Sequence, residues 1–308
     1  MSQEPQLIAT GAPSDPPSGL TYPLALRLRG SSPFQAVFGI LVAFSAFALL
    51  VPLFSELVLR VAHLVRGGGD YAAYRQQAGA YELAEGPAAG HLALALLIPV
   101  SILIVRYIHG VRPRWLFSVQ PGLRWRYLAI MLVVAALALN GVLWLSFLAK
   151  GAPVFHGGQD GWLTFLLVVA VTSPLQTAAE EVFFRGYLLQ AIGSASGRTW
   201  VGVVGSAVLF ALLHGVQNPA LFAHRLAFGL IAGALVVVTG GLEAGIAAHV
   251  VNNIAAYAYA MFTTSVAELR AITALSWADA GWDILGFLTV ALLAILLARR
   301  LRMAAATP

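Results

Sequence analysis

The chain has 308 residues, of which 59% are hydrophobic and only 10% charged, with a mean hydropathy of +0.83. Soluble domains carry roughly 25% charged residues, so a water-soluble fold is excluded by the apolar surface it would expose. Cysteine is absent, which excludes disulfides, thiolate metal sites, Cys nucleophiles and lipid attachment at Cys. A pI near 9.8 does not indicate a nucleic acid partner, because the basic residues are almost all Arg and sit between apolar runs.

Residues 1–33 are polar and rich in Pro, Ser and Gly; they read as a flexible N-terminal tail without the n-region and h-region order of a signal peptide. Residues 34–303 then form a single transmembrane domain. Apolar runs fall at 34–58, 91–108, 127–149, 162–190, 199–216, 219–240, 242–263 and 282–298, each able to cross a core ~30 Å thick at 1.5 Å per residue. The expected fold is all-α: a polytopic helix bundle of about eight spans. The stretch from Gly67 to Gly90 is a polar loop holding a short surface helix over 70–82. Trp115, Trp125, Trp162, Trp200 and Trp282 lie at predicted span ends, as an aromatic belt requires.

Charge orients the bundle. One set of segments carries Arg27, Arg29, Arg106, Arg112, Arg114, Arg124, Arg126, Arg185, Arg198, Arg299, Arg300 and Arg302. The opposite set carries Arg60, Arg66, Arg75, Lys150 and Arg270 beside Asp70, Glu82, Glu85, Asp160, Glu268 and Asp279. An even span count with both termini in the cytoplasm follows from the positive-inside rule.

Charge and strong polarity inside a span cost ~2.5–3.5 kcal/mol per charge on insertion scales, so the polar groups of the later spans need reasons. Glu180 and Glu181 are adjacent, with Arg185 four residues after the second. On a helix Glu181 and Arg185 share a face and pair; Glu180 is turned about 100° away and left for acid–base work. Phe210 and His214 share a face of the next span, as do His249 and Asn253 of a third. Each group alone also fits a structural explanation: a solvated helix end, a histidine tied to a nearby carbonyl, or interhelical polar glue. His63, His91, His109 and His156 fall in loops or at span edges and read as solvated. His224-Arg225 reads as a snorkelling pair.

In this order, E-E-x-x-x-R, F-x-x-x-H and H-x-x-x-N resemble the CAAX protease and bacteriocin-processing (abortive-infection) family of intramembrane proteases, similar to type II CAAX prenyl endopeptidases. The resemblance covers roughly 160–260 and includes the small-residue stretch Phe228–Gly233. It implies hydrolysis of a peptide bond in a membrane-associated peptide or protein. Glu180 would activate water, His214 would orient it, and His249 and Asn253 would donate to the oxyanion. Glu181, Arg185 and Phe210 would shape the site. Cofactor use stays open between none and zinc, with Glu180, His214 and His249 as the metal ligand set. Straight helices would leave these groups at different depths; tilt, a break at Pro174, or helices ending at unequal heights would join them.

Two other functions compete: a non-catalytic immunity or regulatory protein on the same fold, and a proton-coupled transporter. The Arg/Ala-rich, Lys-poor composition suggests the cytoplasmic membrane of a bacterium. The expected partners are a peptide or membrane-protein substrate and the lipid bilayer.

Overall fold

The computed structural model describes residues 11–28 and 31–308. Regular structure among them is helical, with isolated β-bridges and no strand. The helices are α1 (Pro33–Val65), α2 (Tyr71–Gly79), α3 (Glu85–Ala95), α4 (Leu97–Tyr107), α5 (Trp125–Lys150) and α6 (Trp162–Glu180). A π-helical segment (Glu181–Leu188) joins α6 to α7 (Leu189–Ser196). Then come α8 (Thr199–Leu212), α9 (Pro219–Thr239), α10 (Glu243–Thr263), α11 (Val266–Ala271) and α12 (Trp277–Arg300).

All eight expected runs are helical. Six stretches are long and apolar enough to cross a membrane: α1, α3–α4 as one span, α5, α6 through α7, α9 and α12. The other two carry much of the sequence's polar signal. Helix α8 is only 14 residues long, about 21 Å at 1.5 Å per residue. Helix α10 has 21 residues, but His249, Asn252 and Asn253 lower its hydropathy. It lies against α5, α6 and α9, so its polar face meets protein.

Local chemistry sets the ends. Ser32, Asn218 and Ser276 cap α1, α9 and α12 by accepting backbone N–H bonds, and Pro33 and Pro219 sit in the first turn, where a missing N–H does no harm. Gly240 stops α9 in the left-handed region at φ 72°, which a residue with a Cβ enters only at a cost. Asp70 caps α2 through the N–H groups of Ala72 and Ala73, forming the short helix expected over 70–82.

The connections alternate between two ends of the bundle. At one end Ser14 bridges Val111, Thr21 bridges Ala306 and Ser118 bridges Gly241. At the other, Arg66 pairs with Glu85, Lys150 with Asp279, and Asn218 with the backbone of Thr273 and Leu275. The helices pack closely through small residues: a Cβ on Gly229 would lie 2.9 Å from that of Ala207, and one on Gly233 3.0 Å from Val203.

Several expectations need correction. Of the tail, residues 1–10, 29 and 30 lie outside the described residues; within 11–28 most of 11–19 is exposed, while Tyr22, Pro23, Ala25 and Leu26 are buried. Tyr22 and Leu26 are buried in the main core, the Tyr22 hydroxyl donates to the Leu116 carbonyl, and Asp15 pairs with Arg112 and Arg114. Trp115 is no interfacial anchor, because its ring is buried and its indole N–H donates to Asp15 at 2.7 Å. The Asp15 carboxyl is held below its ordinary range by that indole bond and by the two guanidinium groups. The second span starts at Glu85, six residues before its expected start. His63, His91 and His109 are buried, not solvated.

Candidate active site

The E-E-x-x-x-R motif lies where α6 stops being an α-helix. Pro174 sits inside α6 without breaking it, since neighbouring helices and local adjustments re-satisfy a freed backbone group in membrane helices. The departure comes instead at Glu181, where the backbone takes π geometry for one long segment. Such segments are rare and concentrate at functional sites. Every residue of this one is buried, against Trp115, Leu116, Phe210 and Phe228 of the main core.

The pairing expected between Glu181 and Arg185 is present: Arg185 Nη1 donates to Glu181 Oε1 at 2.9 Å, with both side chains fully buried. Arg185 also lies face-on to two rings, 4.0 Å from the centroid of Phe210 and 4.9 Å from that of Phe228. Desolvated cation–π contacts of this kind contribute about 2 kcal/mol, and they occupy a cation whose Nε and Nη2 have no hydrogen-bond partner. Phe210 and Phe228 also pack edge-on against the site histidines, Phe210 4.3 Å from His214 and Phe228 4.8 Å from His249 between ring centroids.

His249 ties the motifs together. Its Nδ1 donates to Glu181 Oε1 at 2.9 Å, and its Nε2 lies 3.6 Å from Glu180 Oε2. Both carboxylates thus reach one imidazole, so Glu180 does not point elsewhere as ideal helix geometry implied. The approach depends on Gly245, where a Cβ would stand 3.0 Å from Glu181 Oε2.

His214 sits just past the end of α8. Its Nδ1 donates to the Phe210 carbonyl at 2.6 Å, which leaves Nε2 as the acceptor nitrogen. Arg225 holds this turn by donating to the His214 carbonyl at 3.3 Å and to Gln217 Oε1 at 2.7 Å. The expected snorkelling pair is therefore split: Arg225 supports the turn, and His224 Nε2 lies 3.5 Å from Asp283 Oδ2.

Glu180, His214, His249 and Asn253 all line one cavity of about 910 Å³. Glu181 and Arg185 lie behind its wall. Helix α8 ends at Leu212, two residues before His214, while α6 runs on through the π segment to Leu188.

The cavity is also lined by polar residues outside the motifs, among them Gln176, His91 and Tyr257. Gln176, one turn before Glu180, accepts from Asn253 Nδ2 at 3.4 Å. His91 bridges Thr172 Oγ1 at 2.8 Å and the Tyr257 hydroxyl at 3.1 Å. Tyr257 extends the His249–Asn253 row by one more turn, a spacing visible in the sequence.

A metal does not fit these side chains as they stand. Catalytic zinc takes three protein ligands at about 2.0–2.2 Å. Among the described residues no three His, Asp or Glu side chains are grouped to hold an ion, and this includes the expected set Glu180, His214 and His249.

Residues 159–255 match the family model described as Type II CAAX prenyl endopeptidase Rce1-like. The chain is also 28% identical over 173 residues to a Bacillus subtilis (strain 168) protein described as "Uncharacterized protein YyaK". That alignment covers 53% of this chain and 57% of the relative's length. No solved structure matches. The matched segment spans the three motifs and the helices that carry them, and over it the chain is similar to the type II CAAX prenyl endopeptidase Rce1-like family.

Proposed function

We propose that the chain is an intramembrane endopeptidase whose nucleophile is a water activated by Glu180. The supporting observation is the single cavity shared by Glu180, His214, His249 and Asn253, with Glu181 and Arg185 behind it. Water held between Glu180 and the acceptor nitrogen of His214 attacks the carbonyl carbon, and its proton passes to Glu180. Asn253 donates an amide N–H to the developing oxyanion. His249 adds a second donor when Nε2 carries a proton of its own, because the one proton Glu180 takes from water goes on to the leaving amine. Collapse of the tetrahedral intermediate breaks the C–N bond, with Glu180 returning the proton to the leaving amine.

The substrate class in this reading is an unfolded or extended stretch of a membrane-associated peptide or protein, since both scissile carbonyl and nucleophile must enter a cavity inside the bundle. Glu180→Gln keeps the shape and removes the base. Purified protein incubated with a membrane-peptide library and read by mass spectrometry is expected to lose ~10²–10⁴-fold of its cleavage rate on this change. Unchanged cleavage by the Glu180→Gln variant would reject Glu180 as base. Peptide retained but cut by neither form would favour the binding-protein alternative.

A further inference from the structure

Of the two ends of the bundle, the cavity lining extends to one. Its wall runs from Glu180 and His249 to Lys150, Pro153, Val216 and Ile272, the last four at the end where α5, α8 and α11 finish. The opposite end is covered by residues 11–28, 110–124 and 301–308, joined by their bridges, and none of these lines the cavity.

The two ends carry different charge. The covered end holds Arg27, Arg106, Arg112, Arg114, Arg124, Arg126, Arg198, Arg299, Arg300 and Arg302 against Asp15 and Glu243. Among the described residues Arg126, Arg198 and the three C-terminal arginines have no carboxylate partner. The open end holds Arg60, Arg66, Arg75, Lys150, Arg225 and Arg270 against Glu56, Glu82, Glu85, Asp160, Glu268, Asp279 and others. Most of its cations are neutralised: Arg60 and Arg75 by Glu56, Arg66 by Glu85, Lys150 by Asp279. Lys and Arg in short segments beside spans keep those segments in the cytoplasm.

We propose that the cavity opens away from the cytoplasm, so that the site takes polypeptide presented at the outer membrane surface: an exported peptide, or the outward end of a membrane-protein segment. A tail attached to the cytoplasmic leaflet would not reach Glu180 through the arginine-rich end, which is covered. The substrate part of this inference rests on the endopeptidase reading; the orientation stands on charge and cavity shape alone.

The cysteine-free sequence makes the test direct. Val154→Cys and Val216→Cys place a thiol on highly exposed residues at the open end, 84% and 85% accessible. Gln120→Cys and Pro308→Cys do so on exposed residues at the covered end. Intact cells are treated with a membrane-impermeant maleimide, and all four variants are labelled again after detergent as the measure of full reaction. The expected result is labelling of the Val154→Cys and Val216→Cys variants in intact cells, and of the other two only after permeabilisation. The reverse pattern, or equal labelling of both ends in intact cells, overturns the proposal. Labelling reads orientation whether or not the protein cuts peptides. Outward labelling without Glu180-dependent cleavage rejects the peptidase reading alone, and Glu180-dependent cleavage with inward labelling rejects the orientation alone.

Discussion

Two buried Arg–Glu pairs anchor this bundle, and they are built differently. At the covered end Arg124 grips Glu243, the first residue of α10: Nε donates to Oε1 at 2.9 Å and Nη2 to Oε2 at 2.5 Å. The Arg124 backbone N–H donates to Oε1 as well, and Nη1 donates to the Thr239 carbonyl at 2.8 Å. Both carboxylate oxygens are used, and the carboxylate sits at a helix N-terminus where the dipole favours it. The pair Glu181–Arg185 is less complete. One oxygen of Glu181 receives both Arg185 and His249, while Oε2, Nε and Nη2 lack hydrogen-bond partners. A saturated pair holds two segments together. A pair with spare capacity, shared with an imidazole that faces a second carboxylate, is what a site needs if charge is to move during reaction.

Breaking each pair separates these roles. Arg185→Leu leaves Glu181 as an unpaired buried charge and empties the space between Phe210 and Phe228; a loss of ~3–5 kcal/mol is expected, together with all peptide cleavage. Thermal unfolding in detergent checks the first, and cleavage per folded molecule the second. Glu243→Gln removes the charge but keeps an acceptor. It should cost ~1.5–3 kcal/mol and lower the midpoint of unfolding, while cleavage by the folded fraction stays within about twofold. Equal effects of the two changes on cleavage would erase the distinction between the pairs.

The same contrast shows what could be read without coordinates. Glu181–Arg185 is a contact within one helix, so a spacing of four residues announces it. Arg124–Glu243 joins a loop to a helix start 119 residues away, and no periodicity records such a meeting. The motif residues Glu180, His214, His249 and Asn253 were legible because charge and amide groups are conspicuous in apolar runs. The π segment was not, since its sequence is as apolar and helix-compatible as its neighbours. His91 reads as solvated in sequence because the polar loop before it suggests a span edge; α3 begins earlier and buries it against Thr172 and Tyr257. The stretch around Tyr22 and Leu26 has too few apolar residues for a pattern in sequence, yet both are buried in the main core.

A gentler change tests how finely Glu181 is placed. Gly245→Ala adds one methyl group 3.0 Å from Glu181 Oε2. Alanine is the better helix former by ~1 kcal/mol, which offsets the crowding, so the net change in stability is expected to stay within ~1 kcal/mol. Cleavage should fall about tenfold, because a carboxylate pushed by a few tenths of an ångström carries His249 with it, and small misplacements of reacting groups lower rates steeply. A variant that is stabilised and fully active would mean that the Glu181–His249 geometry has slack.

The smallest effect belongs to the ion pairs of the covered surface. Asp15 is bonded by the Trp115 indole and by Arg112 and Arg114, and its carboxyl is lowered from the ordinary value of 3.8. A carboxylate with a depressed folded value adds stability in full above its unfolded value and loses it as pH falls through the folded one. The docking of residues 14–22 should therefore be constant from neutral pH down to about 4–5 and weaken only in stronger acid. Hydrogen exchange at the Ser14 and Arg112 amides, which bond to Gly110 and Ser14 carbonyls, reports it directly. Asp15→Asn should raise exchange at neutral pH and remove the acid dependence, with unfolding of the helices unchanged, because a half-exposed pair contributes little to global stability. Should the substitution instead alter peptide cleavage as much as Gly245→Ala does, the covered end would be coupled to the site, and the division between an anchoring pair and a working pair would have to be redrawn.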